Sequence, residues 1–284
     1  MIVMPRARRR MERGLFLYAP LAFALLFLVG PFYWMAITAL KSDGELYAPG
    51  SNPLFVRAPS LDHFVYLLLH TDFLLWMRNT FMVSLLATGI AVSLGVPAGY
   101  ALARLRFRGA EFIGTAIFVT YLVPTTLLFI PMSQVMSSIG LDDTIWALVV
   151  AYPTFLVPFV TWLMASYFRT IPTDVEDCGR IDGLTRLGAM LRIAVPLARP
   201  GILSAGIFAF TLSWNEFIYA LTLVTSSGER TIPVGVLVQL SRADYYFWGP
   251  LMAGALLGSL PIALIYSFFV DQYASGLTAG AVKG

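Results

Sequence analysis

Six apolar runs account for most of the chain, at about 15–40, 76–103, 112–132, 144–168, 202–224 and 248–270. Each is long enough to cross a bilayer as a helix. None shows the ten-residue alternation of a barrel strand, so the expected class is all-α, a polytopic membrane protein with six transmembrane helices. Pro20, Pro31, Pro97, Pro124, Pro131, Pro153 and Pro158 fall inside or near these runs. Membrane helices tolerate such kinks where neighbours satisfy the freed carbonyls. The pattern changes once, between the fourth and fifth runs, in the polar, Arg-marked stretch TDVEDCGRIDGLTRLGAMLRIAVPLARPG, 173–201.

Composition agrees with lipid as the main solvent. The 284 residues are 58% hydrophobic and 12% charged, with a mean hydropathy of +0.76. A soluble domain is about a quarter charged. The basic head MIVMPRARRRMERG could open a secretory leader, but the run behind it is too long and no A-x-A site ends it. An uncleaved first span is expected. The single Cys178 excludes an intrachain disulfide, and with only His63 and His70 beside it the chain has no usual zinc set.

Charge sets the orientation. With the N-terminus inside, the inner segments hold Arg6, Arg8, Arg9, Arg10, Arg13, Arg104, Arg106, Arg108, Arg169, Arg180, Arg186, Arg192, Arg199 and Lys283. The outer ones hold only Lys41, Arg57, Arg78, Arg230 and Arg242. The positive-inside rule then places both termini in the cytoplasm. Trp34, Trp76, Trp146 and Trp248 fall at outer span ends, where indoles favour the interface. Trp162 and Trp214 do not, which marks them for packing or a pore.

The insert reads as two short helices facing the cytosol. Thr173 and Glu176 have capping-box spacing, so the first helix starts near Asp174. Val175, Cys178 and Ile181 form its narrow apolar stripe, and Gly183 suits a left-handed cap. Leu184, Leu187, Leu191 and Val195 mark the second helix, before Pro196 and Pro200 turn the chain back. Small Cys178 and Gly179 admit close approach by another protein. The pair is either a protruding knob or an amphipathic hairpin lying on the membrane.

The spacing Asp177-Cys178-Gly179, three residues, Gly183, nine residues, Ile193-Ala194-Val195-Pro196 resembles the EAA signature of membrane subunits of binding-protein-dependent ABC importers. Asp replaces Glu, Cys and Gly replace two Ala, and Val replaces Leu. Arg78-Asn79-Thr80, Trp214-Asn215-Glu216-Phe217 and the terminal GLTAGAVKG are similar to the carbohydrate-uptake, MalG-type branch. The resemblance covers about 78–284 and implies a type I ABC importer permease fold with a cytoplasmic coupling-helix loop. It divides the chain into a basic N-terminus (1–14), a first span and outer loop (15–75), a core permease domain (76–271) with coupling loop 169–200, and a cytoplasmic tail (272–284).

No G-x-x-x-x-G-K-[ST] phosphate loop occurs, so no cofactor and no enzymatic activity are expected of this chain. The resemblance implies instead that a cytoplasmic ATPase homodimer uses ATP and Mg, and that the insert docks on it. The implied coupling residues are Glu176, Asp177, Cys178, Gly179, Asp182, Gly183, Ile193 and Pro196. The tail would reach the ATPase interface. A second homologous permease subunit and an extracytoplasmic sugar-binding protein complete the implied assembly, in a bacterial or archaeal inner membrane, with no role for nucleic acid.

Glu216 is the one acidic residue well inside a run, and an intramembrane carboxylate has a partner or water. With Trp214 and Asn215 it could line a sugar path. The structural alternative is a hydrogen bond to a neighbouring helix, favoured because the resembled motif recurs across different sugars. Gln134 and Gln239, and the rings of Tyr245, Tyr246 and Phe247, are further outer-face candidates. Gly95/Gly99 and Gly254/Gly258 are small-xxx-small pairs suited to helix packing. His63 and His70 are expected to be solvated. An intramembrane enzyme would need convergent acid, base or nucleophile groups, and an ion-coupled transporter several midplane charges. A non-sugar solute is the alternative cargo.

Overall fold

The computed structural model describes residues 14–105, 107–242 and 245–270. The basic head and the C-terminal tail lie outside the described residues. A π-turn, Gly14–Tyr18, leads into α1 (Ala19–Leu40), followed by α2 (Asp43–Leu46), α3 (Asp62–Leu69), α4 (Phe73–Arg104), α5 (Ala110–Leu122), α6 (Thr125–Ser138), α7 (Ile145–Ala151) and α8 (Pro153–Thr170). The insert contributes α9 (Asp174–Ile181), α10 (Arg186–Ala189), a π-turn at Met190–Ala194 and α11 (Val195–Leu197). Then come α12 (Arg199–Trp214), α13 (Ile218–Leu223), α14 (Ile232–Leu240), β1 (Ser241–Arg242), β2 (Tyr245–Tyr246) and α15 (Trp248–Phe268). The antiparallel β1–β2 ribbon pairs Ser241 with Tyr246 and Arg242 with Tyr245, a small departure from the all-α expectation.

Four segments are long and apolar enough to cross a membrane: Phe16–Leu40, Phe73–Arg104, Ile145–Thr170 and Trp248–Phe268. Two more crossings follow if bent pairs count as single spans, giving up to six. The run at 112–132 is not one rod. It breaks before Pro124 and bends by 95° between α5 and α6, because the residue preceding a proline is driven out of helical geometry. The run at 202–224 is likewise interrupted, at Asn215–Phe217 between α12 and α13.

The chain forms two compact units. One comprises Asp72–Gly235 and resumes at Leu260, and it contains the main core. Its axis is the pair α4 and α8. Gly95 and Gly99 face α8 so closely that a Cβ on Gly99 would sit 2.8 Å from the Ala165 amide nitrogen and 2.9 Å from the Thr161 carbonyl oxygen. The small-xxx-small pair therefore packs within the subunit, with Ala87, Ala91, Val160 and Met164 fully buried along the seam. Tyr100 meets Phe168 edge to face at 5.4 Å at its lower end. Helix α12 joins through Phe81–Phe210 and Phe159–Phe208, and α5 through Phe118–Trp162 and Tyr121–Phe159.

The Arg78-Asn79-Thr80 motif holds the segment after α13. Asn79 Nδ2 donates to the Gly228 carbonyl at 2.8 Å and the Arg230 carbonyl at 3.1 Å, and Thr80 Oγ1 accepts from the Ile232 amide at 2.8 Å. Trp76 is buried there, not at an interface. Its Nε1 donates to the Ser227 carbonyl at 2.9 Å, and its ring fills the place where a Gly235 side chain would stand. Glu229 accepts from the Ile145 amide at the start of α7, and Asp143 accepts from the Thr225 and Ser226 amides at 2.8 Å.

The other unit comprises the chain up to Thr71 with Val236–Ser259. Lys41 is buried at the end of α1 and donates to the Asn52 carbonyl at 2.6 Å. Glu45 accepts from the Arg57 amide. His63 is buried, contrary to the solvated expectation, because Gly249 lies directly against its imidazole. His70 is exposed. Gly254 packs against Val236 in the same unit.

Candidate functional site: the insert between the fourth and fifth apolar runs

The insert is a helical hairpin whose local geometry follows from a few residues. Helix α9 ends in a Schellman motif: the Leu184 amide donates to the Gly179 carbonyl at 3.0 Å and the Gly183 amide to the Arg180 carbonyl at 3.1 Å. Gly183 carries the left-handed backbone this requires, φ +98°, with open space where a Cβ would be. Its glycine is therefore demanded by conformation. Gly179 is small for another reason. A Cβ there would meet the Ile193 Cδ1 at 2.3 Å, so the Ile193 side chain occupies that site and clasps the two arms together. This corrects the expectation that Gly179 is small to admit a foreign surface.

The capping box is not formed. Thr173 has helical backbone angles and makes no side-chain cap. Glu176 turns inward instead and is buried. Its Oε1 receives Arg104 Nε at 2.7 Å and its Oε2 receives the Tyr100 hydroxyl at 2.7 Å. Arg104 also donates to the Ile171 carbonyl at 2.7 Å. Both charges are nine-tenths buried, and each has hydrogen bonds beyond the ion pair, the condition under which a buried pair is tolerable. The last turn of α4 is thereby bolted to the first turn of α9. Thr185 supplies the actual cap in the insert, accepting from the Gly188 amide at 3.1 Å at the start of α10.

The outer face is apolar. Ile181 is 86% exposed, Leu187 62%, Leu191 55% and Val175 44%. Cys178 is exposed beside them. The stripe read from sequence on α9 is thus presented outward. On the second arm the buried residues are Ala189, Met190 and Ala194, while Leu187 and Leu191 join the outer face. Asp177 is exposed and, among the described residues, paired only with Arg180 at 3.2 Å, and Asp182 is exposed at the cap. Pro196 is half-buried in α11.

The other predicted residues lie elsewhere. Glu216 accepts from the Tyr219 amide at 2.9 Å, the Ala220 amide at 3.0 Å and the Tyr152 hydroxyl at 2.9 Å. It caps α13 where the fifth apolar run is interrupted, satisfying amides the break would strand. Trp214 is buried and stacks on Phe210 at 5.5 Å, and exposed Asn215 donates to the Thr211 carbonyl. Gln134 is exposed on α6. Gln239 belongs to the other unit, half-buried on α14. The ring of Tyr246 stacks on Trp248 at 5.3 Å. The Tyr245 side chain lies outside the described residues. The link from Glu176 to Arg104 was missed from sequence; a carboxylate set between Val175 and Cys178 of the apolar stripe was its only trace.

Residues 95–278 match the model of the binding-protein-dependent transport system inner membrane component. The chain belongs to this family. The permease is 35% identical to the inner membrane ABC transporter permease protein YcjP of Escherichia coli (strain K12), over 94% of this chain and 95% of that one. It is 35% identical to the sulfoquinovosyl glycerol transport system permease protein SmoH of Agrobacterium fabrum, over 89% and 88%. To the trehalose/maltose transport system permease protein MalG of Thermococcus litoralis it is 29% identical, over 89% and 91%. Among solved structures it resembles a chain of a bacterial ABC transporter involved in the import of the acidic polysaccharide alginate, with a TM-score of 0.76 and 20% identity over 96% of this chain and 99% of that one. The fold is therefore that of an ABC importer permease, and the chain is a multi-pass membrane protein and a non-catalytic component of a transporter.

Proposed function

We propose that this permease forms half of the translocation pathway of an ATP-driven importer of a di- or oligosaccharide or glycoside. It spans the membrane six times with both termini cytoplasmic. Its insert docks on a cytoplasmic ATPase homodimer, which uses ATP and Mg. A second homologous permease supplies the other half of the path, and an extracytoplasmic binding protein delivers the sugar. Sulfoquinovosyl glycerol and trehalose/maltose in the relatives' names support a sugar or glycoside cargo.

The observation that carries the coupling is the insert's two-sidedness. Ile181, Leu187 and Leu191 face outward on one side, and Glu176 is bolted to Arg104 on the other. Exposed apolar groups rimmed by charge are the anatomy of a docking patch. Closure of the ATPase dimer pulls on the insert, and the Glu176–Arg104 joint passes that displacement to α4 as a rigid body. Val175, Cys178, Ile181 and Leu187 are the contact residues. Asp177 and Asp182 form the charged rim, Gly183 and the Gly179–Ile193 clasp hold the hairpin, and Pro196 turns it back toward α12. Glu216 serves the path indirectly, by holding the broken fifth span.

The test is co-expression with the candidate nucleotide-binding subunit, purification in mild detergent, and ATP hydrolysis measured with binding protein and a panel of disaccharides and glycosides. Sugar-stimulated hydrolysis is expected, lost in Ile181→Asp. An ATPase that co-purifies equally well with the Ile181→Asp/Leu187→Asp chain would overturn the docking assignment.

A further inference from the structure

The unit formed by the chain up to Thr71 with Val236–Ser259 contains a cavity of about 350 Å³ between α2, α3 and the start of α15. Asp43, Asp62, His63, Tyr66, His70 and Phe247 line it. Both histidines of the chain are therefore in one place, with two carboxylates and two six-membered aromatic rings. Tyr66 on α3 and His70 just past its end lie ring to ring at 5.7 Å. None of these residues belongs to the insert or to the broken fifth span.

His63 is 4% exposed, and among the described residues its Nε2 has no hydrogen-bond partner. Gly249 keeps the ring where it is: a Cβ at that position would stand 2.2 Å from Nε2. The nearest charge is Asp43 Oδ1 at 3.8 Å, too far for a hydrogen bond. The gap is one that a single bridging oxygen closes once the exposed Asp43 carboxylate shifts to admit it. A hydroxyl suits either imidazole tautomer, accepting from Nε2–H or donating to bare Nε2, and it suits the adjacent carboxylate as acceptor. A quaternary ammonium offers neither. The aromatic walls suit the CH-bearing faces of a sugar ring, and Asp62 supplies a second acceptor for hydroxyls.

We infer that this cavity is a binding site for a neutral polyhydroxylated ligand, a single pyranose unit, held by a hydroxyl bridging His63 Nε2 and Asp43 and by stacking on Tyr66 and Phe247. The inference rests on the cavity alone and stands or falls separately from the cargo of the transporter.

The two histidines provide the readout. The full-length chain, labelled with ¹⁵N-histidine, is placed in lipid nanodiscs and titrated with methyl α-glucopyranoside, and in parallel with tetramethylammonium. The expected result is a saturable shift of the His63 imidazole resonances with the glucoside only. Asp43→Asn, at a side chain that is 76% exposed and hence tolerant of change, weakens that binding about tenfold or more, the effect of losing one charge-assisted hydrogen bond. A glucoside titration without a saturable shift, a shift given by tetramethylammonium instead, or equal affinity in wild type and Asp43→Asn would each overturn the assignment.

Discussion

Glu176 and Arg104 are 72 residues apart in sequence and 2.7 Å apart in space, joined in a nearly water-free contact where a long apolar helix meets the hairpin of the insert. Removing one partner leaves the other buried and uncompensated, which costs about 3–5 kcal/mol. Glu176→Ala is therefore expected to lower the thermal midpoint of the detergent-solubilised permease and to uncouple ATP hydrolysis from uptake. The charge-swapped double variant, Arg104→Glu with Glu176→Arg, recovers part of both. Midpoints and the ratio of sugar imported to ATP consumed check this.

The outward leucines and isoleucine make the opposite prediction. Ile181→Asp and Leu187→Asp change exposed side chains and should leave the stability within about 0.5 kcal/mol of wild type. Binding of the ATPase subunit should fall by at least about tenfold, as expected for apolar anchors at the centre of a patch. Pull-down alongside thermal unfolding separates the two effects.

Gly183 and Gly179 should respond differently to alanine. At Gly183 the space is open but φ is +98°, so Gly183→Ala costs about 1 kcal/mol through backbone strain alone, and Gly183→Asn costs less. At Gly179 the backbone is ordinary helix and the obstacle is the end of the Ile193 side chain. The double variant Gly179→Ala/Ile193→Val is expected to recover the stability that Gly179→Ala loses. Measured midpoints of the four variants check the distinction.

Gly99→Ala meets backbone, not a flexible side-chain end, on α8. Separation of α4 from α8 follows, with an expected loss of about 1–3 kcal/mol. Gly114→Ala, whose nearest neighbours are Leu102 methyls at 3.8 Å and beyond, should be close to neutral. Yield and thermal midpoint after solubilisation test the pair.

Asp143 gives a pH dependence. The Ser226 hydroxyl and the Ser226 and Thr225 amides hold its carboxylate down to about 2, from an ordinary 3.8. Because the folded value is the lower one, the stabilisation is complete above the ordinary value and is lost as pH falls toward the folded value. The thermal midpoint should therefore drop more steeply between about pH 4 and pH 2 in wild type than in Asp143→Asn. Parallel slopes would remove Asp143 from the account.

What the sequence made legible was whatever local spacing encodes. Val175, Cys178 and Ile181 announced an apolar stripe, Gly183 a left-handed cap, and Gly95 with Gly99 a helix seam, and each is found in that form. The misses share one cause, a distant partner overriding a local rule. Thr173 and Glu176 have capping-box spacing, yet the carboxylate prefers Arg104 and Tyr100, which no local window contains. Trp76 and His63 have the polarity of interface and loop residues. Gly235 and Gly249, far along the chain, leave room that buries them. Hydropathy also averages over breaks, so the bend at Pro124 and the interruption at Asn215–Phe217 vanished inside continuous apolar runs.

The buried residues of helix α1, Ile37, Thr38 and Ala39, lie near one end, while Phe23, Leu26 and Phe27 are three-quarters bare. A mast stepped only at its foot leans with whatever surrounds it. Bilayer thickness sets its tilt, so this segment can differ between lipid environments while the foot at Ile37–Ala39 keeps its place.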